Sequence, residues 1–304
     1  MNKSEWQQVL QTIVKEPVLA DVSLSRYTTW KIGGRADYLV QPTDDDELSA
    51  VLTLLDQESM PWLVIGNGSN ILVGDRGIRG VVIKMSNAYA QTEWRENQVT
   101  TAAGKMLPAL ALEAAERGLS GLEFAAGIPG SIGGAVRMNA GAYGNNIGDF
   151  VTKVEALEYS GARRILMASD ITFAYRNSSL FDLPLVVCRV TLSLSSGSRD
   201  ESLARIKDLS QQRSLNQPLE YPSCGSVFRN PPNDHAGRLI ELANLRGLQI
   251  GGAAVSKKHG NFIVNLGGAR AKDVQELIAE VQERVYAYSG VNLEPEVRLV
   301  GDFA

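Results

Sequence analysis

Cysteine and histidine are scarce in this chain of 304 residues, with two of each: Cys188, Cys224, His235 and His259. Two cysteines make neither a disulfide framework nor a thiolate cluster, and two histidines supply too few nitrogen donors for a zinc site. Positive charge is not in surplus either, since 30 Lys and Arg face 34 Asp and Glu. A general nucleic-acid or membrane-surface binder carries a basic stripe, so neither partner is expected. No apolar run approaches the ~20 residues that cross a bilayer. The opening MNKSEWQQVLQTIVKE is too polar for a signal-peptide core, and the expected location is the cytoplasm.

Glycine, by contrast, is plentiful, and its 29 residues concentrate in 66–80, 118–148 and 247–268. It serves where backbone turns sharply or approaches something closely. Three such clusters together point to a phosphate-rich ligand, although any one alone is better read as tight turns. The length is about twice a ~150-residue domain, which suggests two domains or three small ones.

Apolar spacing predicts an amphipathic helix through Trp6, Val9, Leu10, Ile13 and Val14. A strand at 36–41 precedes a helix running to 57, capped by Thr43 before an acidic first turn. Strands at 62–65, 80–85 and 98–103 follow, then a helix over 107–117 ended by Gly118. From residue 151 the texture changes, and segments 154–159, 164–168 and 185–194, which alternate or run apolar between turn residues, predict an antiparallel sheet. The remainder predicts helices at 200–213, 239–245 and 271–289 and a strand at 261–265. There is no internal repeat.

Gly66-Asn67-Gly68-Ser69-Asn70 opens like a dinucleotide fingerprint, but Ile71 stands where a third glycine is required and no helix follows at once. Consecutive N–H groups there could form a nest for phosphate oxygens, with a plain turn as the equal alternative. The stretch 127–144, GIPGSIGGAVRMNAGAYG, holds six glycines and a proline. It is read as a loop that contributes no core and lays bare amides against a flat or phosphorylated ligand. Tyr175-Arg176-Asn177-Ser178 places one arginine in a polar turn, suited to a bidentate grip on a carboxylate or phosphate. Ser226 follows Gly225 on an expected exposed turn, without the elbow or the His–Asp partners of a serine hydrolase. Taken singly, each of these last two segments is a tight turn with a surface arginine nearby.

Taken together they are not anonymous. GNGSN at 66–70, GIPGSIGGAVRMNAGAYG at 127–144, YRNS at 175–178, CGSVFRNP at 224–231, GLQIGGAAVS at 247–256 and LEPEVRLVG at 293–301 occur in that order. The set, with TTWKIGG at 28–34, resembles the UDP-N-acetylenolpyruvoylglucosamine reductase family from residue 28 to the carboxyl terminus. The resemblance implies an α+β fold: a two-subdomain FAD-binding region of the vanillyl-alcohol-oxidase type, then an α/β substrate-binding domain. The expected divisions are 1–88, 89–198 and 199–304, with the last residues free to return to the first subdomain. The length matches the family's shorter subtype. Cys224, where alanine is common, and Arg229, where lysine also occurs, depart from the pattern without touching the matched catalytic positions.

The same resemblance implies reduction of UDP-GlcNAc-enolpyruvate to UDP-N-acetylmuramate by NADPH through FAD. The FAD is expected to be noncovalent, because no tethering histidine lies near the first glycine loop. Implied cofactor-binding residues are Ile65, Gly66, Asn67, Gly68, Ser69, Asn70 and Ile71, then Gly127, Pro129, Gly130, Ser131, Gly133, Gly134, Asn139, Gly141 and Ala142. Arg176 matches the arginine that faces the developing charge, Ser226 the general acid, and Glu296 a glutamate that helps as a hydrogen donor. Tyr175, Asn230 and Arg298 match substrate-holding positions. No metal and no obligate protein partner is indicated. The rivals are a flavin alcohol oxidase of the same fold and a non-catalytic flavin or UDP-sugar binding module. Retention of Arg176, Ser226 and Glu296 together favours the reductase.

Overall fold

The structure, a computed structural model, describes residues 2–303. The chain forms two compact units. Unit one comprises Met1–Ala20, Asp37–Asn67 and Gly80–Gln211; unit two comprises Asp21–Ala36, Gly68–Arg79 and Gln212–Ala304. Both are discontinuous, whereas divisions read from sequence texture are contiguous. Strands Arg35–Val40 and Ile78–Lys84 each run from one unit into the other, and local periodicity does not report that.

In unit one, α1 (Lys3–Ile13) begins with a capping box between Asn2 and Glu5 and buries Trp6 and Leu10. Helix α2 (Asp45–Gln57) is capped by Asp44 rather than the expected Thr43, because the Asp44 carboxylate accepts the Glu47 N–H at 2.9 Å. Trp62–Ile65 pairs in parallel with residues 81–84. Helix α3 (Leu107–Glu116) is followed by Gly118 at φ +70°.

The expected coreless loop at 127–144 contains a helix instead, α4 (Ile132–Arg137), which buries Ile132, Ala135 and Val136. Those three stand at i, i+3 and i+4, a helical stripe hidden among glycines. The predicted antiparallel sheet has five strands, in the order Arg163–Met167, Val151–Glu158, Leu185–Ser193, Gln98–Ala102, Thr92–Arg95. Its inner face joins α2, α3 and α4 in one core. Polar α5 (Arg199–Asn216) buries only Ser202 and Leu209 and leads the chain toward unit two.

In unit two, α6 (Ala236–Leu242) starts three residues before the expected 239 and its end is followed by Asn244 at φ +57°. Helix α7 (Ala271–Ser289) has the bounds its periodicity predicts, closed by Gly290 at φ +72°. The Asp75 carboxylate accepts the N–H groups of Ala271 and Lys272 at 2.8 and 3.0 Å, satisfying the first turn of α7. Helices α6 and α7 pack around a three-stranded antiparallel sheet with Trp30 and Phe228 in the core. Ile71–Val73 pairs in parallel with Arg298–Val300, which ties the carboxyl-terminal motif to the strand after the first glycine loop. The fold class is α+β, as the resemblance implies.

Candidate functional site

Unit one joins the two glycine-rich stretches. A Cβ on Gly66 would lie 2.1 Å from the Ser131 hydroxyl oxygen. Next to it, the Asn67 amide donates to the Pro129 carbonyl at 2.7 Å, and Lys84 Nζ donates to the Gly66 carbonyl at 2.5 Å. Burial pulls the Lys84 ammonium down to about 8. The N–H groups of Ile132 and Gly133 donate to the carbonyls of Lys105 and Ala103, both at 2.9 Å, which seats the start of α4 on the turn after the strand Gln98–Ala102. Gly134 is exposed, and the nearest atom a Cβ there would meet is Ser131 Oγ, 3.9 Å away. Backbone is therefore accessible at Gly134 with no side chain over it.

In the first loop, among the described residues, the N–H groups of Asn67, Gly68 and Ser69 donate to no other group of the chain. Gly68 adopts φ +64°, and a Cβ there would meet the Tyr27 carbonyl oxygen at 2.1 Å. Three successive N–H groups that find no acceptor in the chain, with a left-handed residue among them, fit a diphosphate such as that of FAD. In unit two the Thr29 N–H donates to the Gly68 carbonyl at 3.2 Å. The TTWKIGG motif supports this loop: Trp30 Nε1 donates to the Ile263 carbonyl at 2.8 Å and Asn265 donates to the Trp30 carbonyl at 3.0 Å. Further along, Asn70 Nδ2 donates to the Glu296 carbonyl at 3.2 Å, and the Arg298 N–H donates to the Asn70 carbonyl at 3.0 Å.

Tyr175 and Arg176 form the two-residue loop of a hairpin in unit one, between Phe173–Ala174 and Asn177–Ser178. The Arg176 guanidinium lies 5.0 Å from the centre of the Tyr175 ring. Asn139, buried at φ +44°, donates through Nδ2 to the Ala174 carbonyl at 2.9 Å and accepts the Gly148 N–H at 3.0 Å. Both ends of its side-chain amide are thus engaged within the protein.

Unit two carries Ser226. The expected exposed turn is half-buried there, because Cys224, Val227 and Phe228 around it are core residues. Gly225 takes φ +82°. The segment lies between two others: the Val227 N–H donates to the Asn261 carbonyl at 2.9 Å, and the Glu296 N–H donates to the Val227 carbonyl at 2.7 Å. The Arg229 N–H donates to the Glu294 carbonyl at 2.9 Å. Ser226 and Glu296 thus stand on adjacent, bonded backbones. Burial, and then the charge of Glu296, push the Cys224 thiol far up, so it stays protonated. Asn230 Oδ1 accepts the Ala236 N–H at 3.1 Å, at the start of α6.

Sequence inspection missed Asn261, His259 and Lys84. Asn261 is buried and clasps Phe228 with both ends of its amide, at 2.9 and 2.8 Å. His259 accepts the Asn261 N–H on Nδ1 at 3.2 Å, and burial with the Arg246 charge holds it below its ordinary value. The available signals were an asparagine beginning the apolar run NFIV and a lone lysine ending the apolar run GVVI. Among the described residues, no group of His, Cys, Asp and Glu could hold a metal ion.

Residues 36–165 match the FAD binding domain family, and residues 217–300 match the family of the UDP-N-acetylenolpyruvoylglucosamine reductase C-terminal domain. The chain is 45% identical over 298 residues to the UDP-N-acetylenolpyruvoylglucosamine reductase of Moorella thermoacetica, covering 96% of each chain. It is 43% identical over 302 residues to that of Carboxydothermus hydrogenoformans, covering 99% of this chain and 100% of the other. The crystal structure of the Thermus caldophilus enzyme superposes with a TM-score of 0.79 at 40% identity, covering 91% of this chain and 97% of the other. This chain belongs to the UDP-N-acetylenolpyruvoylglucosamine reductase family.

Proposed function

We propose that this chain reduces the enolpyruvyl ether of UDP-N-acetylglucosamine to the lactyl ether of UDP-N-acetylmuramate, with NADPH as reductant and noncovalent FAD, in peptidoglycan precursor synthesis. The observation that carries this reading is the bonded pair of backbones bearing Ser226 and Glu296. It supports a proton donor and a second polar group placed together. FAD, when bound, relays hydride from NADPH to the vinyl carbon of the substrate.

The chain's own residues do the rest. The loop at 65–71 and the stretches at 127–134 and 141–142 hold the cofactor chiefly through backbone, a reading supported by the N–H groups of Asn67, Gly68 and Ser69, which find no acceptor in the chain, and by uncovered Gly134. The guanidinium of Arg176 grips the substrate carboxylate and offsets charge arriving on the neighbouring carbon. Ser226 Oγ then gives its proton to that carbon, which requires hydrogen-bond reach and replacement of the proton afterwards. Glu296, as the carboxyl, adds a second donor. Tyr175, Asn230 and Arg298 hold the substrate.

The division that serves this chemistry is an FAD-binding region of two subdomains, 1–88 and 89–198, and a substrate domain, 199–304. Matches at 36–165 and 217–300 support the division into an FAD-binding region and a substrate domain. The cytoplasm, where nucleotide-activated sugars and NADPH are found together, is the proposed location.

Purified protein mixed with NADPH and UDP-GlcNAc-enolpyruvate tests the reading. Substrate-dependent loss of NADPH absorbance and formation of UDP-N-acetylmuramate are expected. A yellow protein that consumes NADPH at the same rate with and without the enolpyruvyl substrate would overturn it.

A further inference from the structure

The hairpin bearing Arg176 is short. Its ladder has two residue pairs, Phe173 with Ser178 and Ala174 with Asn177, closed at the base by Ser179, whose N–H donates to the Thr172 carbonyl at 2.9 Å and whose Oγ accepts the Thr172 N–H at 3.0 Å. An isolated two-stranded hairpin is marginal even when longer. Its two-residue loop also lacks the relaxed geometry. The favoured hairpin turns take positive φ at the first central residue. Here Tyr175 does not, while Arg176, the second, sits at φ +54°. A left-handed conformation is uncommon for a residue with a Cβ and persists only where the surroundings over-determine it.

Two bonds from beyond the hairpin flank the loop and add to that constraint, and both come from the exit of α4. Asn139 Nδ2 donates to the carbonyl of Ala174, the residue just before the loop, at 2.9 Å. Ser178 Oγ, just after the loop region, donates to the Arg137 carbonyl at 2.8 Å. Asn139 is itself fixed, 5% exposed, at a positive φ that asparagine tolerates, with Oδ1 accepting the Gly148 N–H at 3.0 Å. A side chain placed at Gly148 would meet that Oδ1 at 2.7 Å and the Phe173 ring at 2.6 Å, so the three groups are in close packing.

We propose that Asn139 is a positioning residue for Arg176: its amide, anchored on Gly148, holds the Ala174 carbonyl and thereby the left-handed turn from which the guanidinium projects. Its side chain is then not a contact of the cofactor. The proposal rests on the reading that Arg176 acts on the substrate. It also places the arginine under control of the glycine-rich stretch, so that one segment sets both the cofactor cradle and the charge facing the substrate.

The test compares Asn139→Ala and Asn139→Asp, with Ser178→Ala as a second route to the same hairpin. Aspartate keeps the acceptor for Gly148 but cannot donate to Ala174. All three are expected to bind FAD and to be reduced by NADPH within about threefold of the parent, while reoxidation by the enolpyruvyl substrate slows on the order of 10²-fold, the cost of a misplacement near 1 Å. In an Arg176→Ala background, adding Asn139→Asp should change reoxidation by less than about twofold, because the residue acts through the arginine. Additive losses would overturn the proposal. So would a fall in FAD affinity or in NADPH-driven reduction as large as the fall in reoxidation, which assigns Asn139 to the cofactor cradle or to folding alone. Parent-like reoxidation in Arg176→Ala by itself would instead remove the reading of Arg176, and the proposal with it.

Discussion

Gly66 and Ser131 meet so closely that a methyl group on the first would lie 2.1 Å from the hydroxyl oxygen of the second. The next nearest atom is Ser131 Cβ at 3.3 Å, so the hydroxyl alone makes the severe clash. Gly66→Ala should therefore push the two glycine-rich stretches apart and weaken FAD binding by about tenfold or more, roughly 1.4 kcal/mol. Adding Ser131→Ala should recover most of that loss. Flavin fluorescence titration checks both. A double variant no better than Gly66→Ala would show that the contact does not set the cradle.

Ser226 separates the two halves of the reaction. Reduction by NADPH needs no proton from it, so Ser226→Ala should bleach the flavin at close to the parent rate. Reoxidation by the enolpyruvyl substrate should fall by about 10² to 10⁴-fold, the usual worth of general acid catalysis. Stopped-flow absorbance resolves the two steps. Buried Cys224, whose thiol stays protonated, is the neighbouring control: Cys224→Ala should leave reoxidation nearly unchanged. Parent-like reoxidation in Ser226→Ala would transfer the proton to another donor.

Lys84 gives a pH-dependent stability with a defined sign. Its ordinary value of 10.5 in the unfolded chain falls to about 8 in the fold. Below pH 8 both states are protonated and the burial cost is fully present. Between about 8 and 10.5 the unfolded chain binds more protons, so stability rises with pH, by at most about 1.4 kcal/mol per unit. Denaturation midpoints of the parent and Lys84→Met, followed from pH 7 to 10, should diverge in the parent's favour above ~8. Parallel curves would mean that the ammonium is not buried.

Trp30 lies in a sequence motif yet acts as a support. It is 0% exposed, and its indole donates to the Ile263 carbonyl at 2.8 Å. Trp30→Ala should cost about 3–5 kcal/mol of unfolding free energy. Trp30→Phe keeps most of the volume but leaves the carbonyl without its donor, a loss of about 1–3 kcal/mol. Urea melts of the apoprotein measure both. A Trp30→Phe variant that unfolds like the parent but binds FAD poorly would place the indole at the cofactor instead.

Sequence alone determined the elements whose causes are local. Helix α7 has the bounds its apolar period predicts because that stripe, closed by Gly290, repeats over nineteen residues. The strands Val151–Glu158 and Leu185–Ser193 showed, within a few residues, as the alternating or apolar segments 154–159 and 185–194 between turn residues. Short helices did not, since a stripe of Ile132, Ala135 and Val136 is too brief to stand out among glycines. Nor did α2's cap, where Asp44 and Thr43 are both acceptable types and only the backbone path picks the one that reaches Glu47.

The ordered motifs likewise named the candidate residues, but spacing along a chain says nothing of which side chains meet. Only the tertiary structure set the Ser226 segment between Asn261 and Glu296, latched Gly66 to Ser131, and joined Asn139 to Ala174. Each contact joins residues tens of positions apart, and side chains such as Asn139 and Asn261 are polar groups that become informative only once burial obliges them to find partners.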